Sequence, residues 1–203
     1  MNIQIFNRTI GVKHLLFIIA EMSANHLQKF DNAVKLIKAA KEAGADAVGI
    51  ESGNEQIRRN VLNRKMSNEL VKKAFNIINE FDIRVSTFNM IGLPNETREN
   101  VFETIRFNKE LSVEACNVYA IYPYPGTELA IKYNKYFRDE NGEFIPVENA
   151  ADFELSQMSP EEIKGLLKVF NLYLKLPEEF WPLIKIAEQE NEEGRTFKYL
   201  LSL

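Results

Sequence analysis

Residues 43–64 read AGADAVGIESGNEQIRRNVLNR, and the order of residue types in them decides the fold. A helix ends at Gly44, which suits a C-cap because it carries no side chain. Ala47 to Glu51 follows as a short buried strand, and a new helix begins near Glu55. The strand's exit carries a carboxylate, a hydroxyl and a glycine: Glu51, Ser52 and Gly53. In parallel α/β folds that exit is where ligands bind.

The same alternation extends on both sides. Upstream, Leu15 to Met22 is an apolar run suited to a strand covered on both faces. The helix after it sets Ala33, Leu36, Ile37 and Ala40 on one face. Downstream, EQIRRNVLN and NELVKKAFNIINEF read as two helices, with Ser67 as the N-cap of the second and Leu70 as its first core-facing residue. Ile83 to Ile91 and ACNVYAIYP read as strands. Between them stand the turn GLPNET and the helix RENVFETIRFNKEL, capped by Thr97 or Asn95.

Strand and helix repeated in this way imply right-handed crossovers and a parallel sheet. The expected class is α/β: an incomplete parallel (βα) barrel of about four strands, a TIM-like half-barrel, with a helical C-terminal extension. Residues 1–130 form the partial barrel in this reading. Residues 131–203 add a small hairpin around Asn141 and Gly142, a helix opened by Ser159 and Pro160, and a last helix in PEEFWPLIKIAEQE. Phe170, Tyr173 and Trp181 form the apolar side that covers a sheet edge, and EQENEE is a solvated helix end.

Composition narrows the function. At 203 residues and 45% hydrophobic content the chain can bury a core, though it falls short of the roughly 250 residues of a closed eight-stranded barrel. A net charge of −4 and a pI near 5.4, with scattered basic residues, argue against nucleic acid as a partner. Glu21 cuts short the apolar run of VKHLLFIIAEMSA, so it reads as a strand and not a signal peptide. No run is long enough for a membrane helix, and the expected location is the cytosol. The single cysteine, Cys116, leaves no internal disulfide and no cysteine-only iron–sulfur site within these residues.

Three separated stretches, GIESGNEQIRRNVLNRKMS, FNMIGLPNET and NVYAIYPYPGTEL, resemble in order and spacing the later part of the radical S-adenosylmethionine (radical SAM) enzyme core, over about residues 48–129. The resemblance implies a partial (βα)₆ barrel. In that family a Cys-x₃-Cys-x₂-Cys loop after the first strand holds a [4Fe–4S] cluster, which reduces S-adenosylmethionine to release a deoxyadenosyl radical. By the same resemblance Glu51, Ser52 and Gly53 line the cofactor site, the first two facing the ribose and methionine portion. Arg64 lies near the carboxylate, and the backbone of Ile121, Tyr122 and Pro123 flanks the adenine. A carboxylate can accept from two ribose hydroxyls and a guanidinium can pair a carboxylate in bidentate fashion.

The N-terminal stretch FIIAEMSANHLQKFDNAVKLIKAAKEAGADAV resembles the opening βαβ unit of the sialic and pseudaminic acid synthases, over about residues 14–48. These barrel enzymes condense phosphoenolpyruvate with an amino sugar, using a divalent metal. That resemblance implies Glu21, Asn25 and His26 at the first strand's exit, with Glu21 the catalytic candidate. Where the synthase strand continues Lys-x-Gln, this chain has Gly49 and Glu51. The two resemblances meet in one strand, and neither set of active-site residues is complete.

Alternatives stand beside each residue. Glu51 either caps the next helix or contacts a ligand; GLPNET is a turn-and-cap motif or a ligand loop; His26 is a polar loop residue or a lone ligand. Cys116 reads as an inert buried thiol. Tyr119, Tyr122 and Tyr124 alternate as packed and interior-facing strand residues. The expected function is a radical SAM family protein, truncated or hybrid, that lacks the cluster motif and retains weak S-adenosylmethionine binding. A homo-oligomer or a cluster-bearing partner chain is the expected assembly. The rivals are a non-catalytic module docking on another chain and a remnant sugar-acid synthase.

Overall fold

The computed structural model describes residues 3–5, 8–10, 19–21, 30–42, 47–51, 53–63, 66–80, 84–113 and 115–203. Strands β1 (Ile3–Ile5) and β2 (Arg8–Ile10) pair as a small antiparallel ladder that the sequence reading did not foresee. Strands β3 (Ile19–Glu21), β4 (Ala47–Glu51), β5 (Arg84–Ile91) and β6 (Ala115–Ala120) form a parallel sheet in chain order. Helix α1 (Phe30–Glu42) links β3 to β4, α2 (Glu55–Asn60) and α3 (Asn68–Glu80) link β4 to β5, and α4 (Arg98–Glu110) links β5 to β6.

Each crossover helix forms for a local reason. In α3 the buried residues Val71, Ala74, Phe75 and Ile78 recur at helical spacing and meet Ile37 of α1 and Phe107 of α4. Ser67 accepts from the Leu70 amide at 3.2 Å, as a cap should, but Leu70 is only half-buried and Val71 is the first core residue. Leu36 of α1 is likewise 39% exposed, while its neighbour Ile37 is buried. The start of α4 is a capping box in which Thr97 and Asn100 satisfy each other's amides, so Thr97 and not Asn95 is the cap.

Past β6 come α5 (Glu128–Lys132), α6 (Pro160–Lys175), α7 (Trp181–Ala187) and α8 (Glu192–Leu201). Ser159 and Glu162 box the start of α6, with Pro160 at its first turn. The buried face of α6, from Ile163 through Phe170 to Leu174, packs on Ile91, Ile105 and Cys116 in the main core. Asn171 donates to the Cys116 carbonyl at 3.0 Å, satisfying a backbone acceptor of β6, which among the described strands pairs with β5 alone. The hairpin around Asn141 and Gly142 reduces to one bridge, Arg138 to Phe144, over a turn in which Asp139 accepts from the Asn141 and Glu143 amides. EQENEE is not one solvated helix end: Glu188 after α7 is buried, and Asn191 caps the further helix α8, whose first turn holds Glu192 and Glu193.

Candidate functional site at the strand exits

Strand register places the sequence-derived candidates. Glu21 is level with Gly49 and through it with Ser86, and Glu51 is level with Phe88, which is level with Asn117. Phe88 and Met90 are half-buried, Asn117 is exposed, and Tyr119, level with Met90, is 56% exposed. Tyr119 therefore stands on an open face, against the expectation that it packs. The opposite face, with Thr87, Asn89 and Ile91, is buried under α4.

Past β4, Ser52 and Arg64 lie outside the described residues, as do Asn25 and His26. Gly53 is buried against α4; a Cβ there would come within 3.0 Å of Phe107 and of the Thr104 backbone. The cap of α2 is Asn54, whose side chain accepts from the Ile57 amide at 2.7 Å and donates to the Glu103 carboxylate. Arg58, buried, donates to the Met66 carbonyl at 2.9 Å and to Asn68 at 2.7 Å, while Glu55 accepts from the Asn68 amide. Those bonds fasten the two ends of the α2–α3 connection. Sequence reasoning overlooked Asn54 and Arg58; the preference of N-caps for asparagine was the available signal for the first.

At the exit of β5, Gly92 has φ +82°, and the Glu96 side chain turns back to accept from the Gly92 and Leu93 amides at 2.7 and 3.2 Å. Glu96 is only 1% exposed, and burial pushes its carboxyl up to about 7. At the exit of β6, the Ile121 amide donates to the Ile91 carbonyl at 2.9 Å, Ile121 and Pro123 are buried, and Tyr122 donates to the Ile145 carbonyl at 3.1 Å. Ile57 of α2, Leu93 and Ile121 share one apolar cluster. The three stretches that carry the radical SAM resemblance thus meet at one end of the sheet.

Residues 13–107 match the Radical SAM superfamily. The match starts ahead of the expected Val48 and stops short of Leu129. The chain is similar to an uncharacterized methyltransferase of Pyrococcus horikoshii, 36% identical over 100 residues, 47% of this chain and 21% of that protein. The chain is also similar to the pseudaminic acid synthase of Campylobacter jejuni, 60% identical over 37 residues, 18% of this chain and 11% of that enzyme. The chain therefore spans about a fifth of the first relative and about a tenth of the second. Among solved structures it is similar to coproporphyrinogen III oxidase of Escherichia coli, a radical SAM enzyme, at TM-score 0.47 and 16% identity, covering 67% of this chain and 30% of that one.

The radical SAM family implies a [4Fe–4S] cluster and S-adenosylmethionine. The residues present do not fit the cluster. Cys116, the single cysteine, lies on the helix-covered face of the sheet, 4% exposed, with its sulfur accepting from Asn89 at 2.8 Å. Burial raises its thiol above the ordinary range, which disfavours the thiolate that ligates iron. It belongs instead to a buried polar net in which Thr87 donates to Asn108, and Asn108 donates to Asn89 and to the Thr104 carbonyl. Among the described residues no group of three or more His, Cys, Asp or Glu side chains is placed to hold a metal. Nor, among them, is any helix long and apolar enough to cross a membrane.

Proposed function

We propose that this chain is a cytosolic, radical SAM-type partial (βα) barrel that recognises the adenosyl portion of S-adenosylmethionine at its strand exits without assembling a cluster from its own residues. Radical chemistry would then require a partner chain that carries the cluster. The observation that supports this reading is the convergence of Ile57, Leu93 and Ile121, one from each motif stretch, on one apolar floor. Flat apolar surface is what a nucleobase face needs, and polar groups at a strand exit supply the orientation. Glu51 would hold the ribose hydroxyls, Arg64 the carboxylate, and the Ile121–Pro123 backbone the adenine edge.

The test is a titration of the purified chain with S-adenosylmethionine, followed by amide NMR. Saturable shifts at Glu51, Gly53 and Tyr122 are expected; dispersed peaks that stay in place would remove the adenosyl reading. Anaerobic incubation with iron and sulfide should give no stoichiometric cluster absorbance with this chain alone. A second reading, a module that docks on another chain or on its own copy, draws on exposed Tyr119 beside half-buried Phe88 and Met90. Light scattering decides it: a stable dimer that Tyr119→Glu dissolves would favour docking.

A further inference from the structure

The floor formed by Ile57, Leu93 and Ile121 is roofed by the chain's own residues. Phe137, Ala150, Phe153 and Leu155 close over it, with the Phe137 and Phe153 rings edge to face at 4.8 Å. These residues come from the irregular segment 134–158, which holds two short 3₁₀ turns, Asn134–Tyr136 and Val147–Asp152, and a single antiparallel bridge. Hydrogen bonds tie the segment to the strand-exit loops at two places, while Asp152 pairs with Lys164 of α6 and Ala151 and Met158 pack in the main core. On one side Tyr122 donates to the Ile145 carbonyl, and the Ile145 amide to the Phe137 carbonyl at 3.0 Å. On the other, the Asn95 amide donates to the Leu155 carbonyl at 2.9 Å and the Gln157 amide to the Glu96 carbonyl at 2.8 Å. Both ties fall on the loops that leave β5 and β6.

We infer that residues 134–158 form a strap that closes the nucleoside end of the sheet, so that an adenosyl group reaches the floor only when the strap lifts. This inference rests on the adenosyl reading above. Two features make the strap a movable part. Its backbone lacks the regular ladders that make a helix or sheet open as a unit. Its hold on the strand-exit loops is the three hydrogen bonds from Tyr122, Asn95 and Gln157 at two ends, beside the apolar anchors Phe137, Ala150, Phe153 and Leu155. The roof residues are aromatic and the floor aliphatic, so a purine can replace Phe153 over the floor with contact of the same kind. A closed strap lowers apparent affinity by the fraction of time the site is open, so weakening the strap tightens binding without any new contact.

The experiment compares the wild-type chain with Phe153→Leu, using S-adenosylhomocysteine as the probe in calorimetry and native-state hydrogen exchange as the report on the strap. Phe153→Leu should bind about two- to tenfold tighter, with faster exchange at the Ile145 and Gln157 amides and unchanged exchange in α4. Equal affinity of the two proteins, with the strap amides exchanging faster in the variant, overturns the strap as a gate and leaves the adenosyl reading standing. Absence of binding by both overturns the adenosyl reading, and the gate with it. Should Phe153→Leu fail to fold, Tyr122→Phe, which removes only the tie to Ile145, is judged by the same outcomes.

Discussion

Glu96 is a carboxylate in a place where its charge is expensive. It accepts two backbone hydrogen bonds that favour the anion, but desolvation outweighs them and lifts the carboxyl to about 7. In the unfolded chain the group titrates near its ordinary value of 4.5. Between those values the folded state holds more protons than the unfolded, so stability falls as pH rises. The contribution is fully present below pH 4.5 and is lost by pH 7, a change of about 3 kcal/mol. Glu96→Gln keeps an acceptor for the Gly92 amide and removes the charge, so its urea midpoint should move less with pH and exceed the wild type's at pH 8. Parallel profiles from pH 5 to 8 would sink this account. Cys116 gives a second residue-scale outcome: buried, and with its thiol pushed up by desolvation, it should react with a thiol reagent at pH 8 only as fast as the chain unfolds. Immediate labelling of the native protein would place it elsewhere.

At the scale of elements, close approach decides where glycine is required. A Cβ on Gly165 of α6 would lie 2.8 Å from the Glu188 Cβ and 3.2 Å from the Glu188 carbonyl, at the end of α7. Helix propensity alone makes Gly→Ala favourable by about 1 kcal/mol. Overpacking between two helices costs about 1–3 kcal/mol, and neither neighbouring atom is the far end of a flexible side chain. Gly165→Ala should therefore lower the thermal midpoint, and a rise would mean that α6 and α7 separate freely. The helices themselves were largely legible in the sequence: Ser159 and Pro160 spell a helix start, and Ser67 marks the start of α3, though the buried face of α3 begins at Val71 and not at Leu70. Helix α8 escaped notice because its cap, Asn191, sits inside an acidic run that reads as solvent-facing. Tyr119 misled for another reason. On β6 the buried face is made of small residues, Cys116, Val118 and Ala120, which let α6 lie close, so the bulky ring belongs to the other side. Glu96 carried no signal of burial, since glutamate is ordinarily a surface residue; only the left-handed turn at Gly92, with two amides facing inward, explains it.

The whole molecule depends on how the C-terminal helices hold to the sheet. Sequence could nominate Tyr173 and Trp181 as apolar cover, but not the polar joint beside them, because its members are far apart in the chain. Arg98 at the start of α4 pairs with Glu188 at the end of α7, Tyr173 of α6 donates to the same carboxylate at 2.6 Å, and Lys185 reaches its other oxygen at 3.0 Å. Glu188 is buried, and its removal takes the acceptor from the Tyr173 hydroxyl and leaves Arg98 the Tyr173 oxygen at 3.3 Å and the Glu162 carboxylate at 3.9 Å. A buried carboxylate of this kind is worth little against an apolar replacement of the whole set, yet taking out one member strands the rest. Glu188→Ala should cost about 2–3 kcal/mol, whereas Tyr173→Phe, which drops one donor and keeps the ring contacts with Phe102 and Trp181, should cost about 1 kcal/mol. Since Arg98 also begins the helix that crosses from β5 to β6, loosening this joint should raise amide exchange in α4 and α7 together. Faster exchange in α7 alone, with α4 still protected, would mean that the C-terminal helices open independently of the sheet and that Arg98 is held by the sheet side without them.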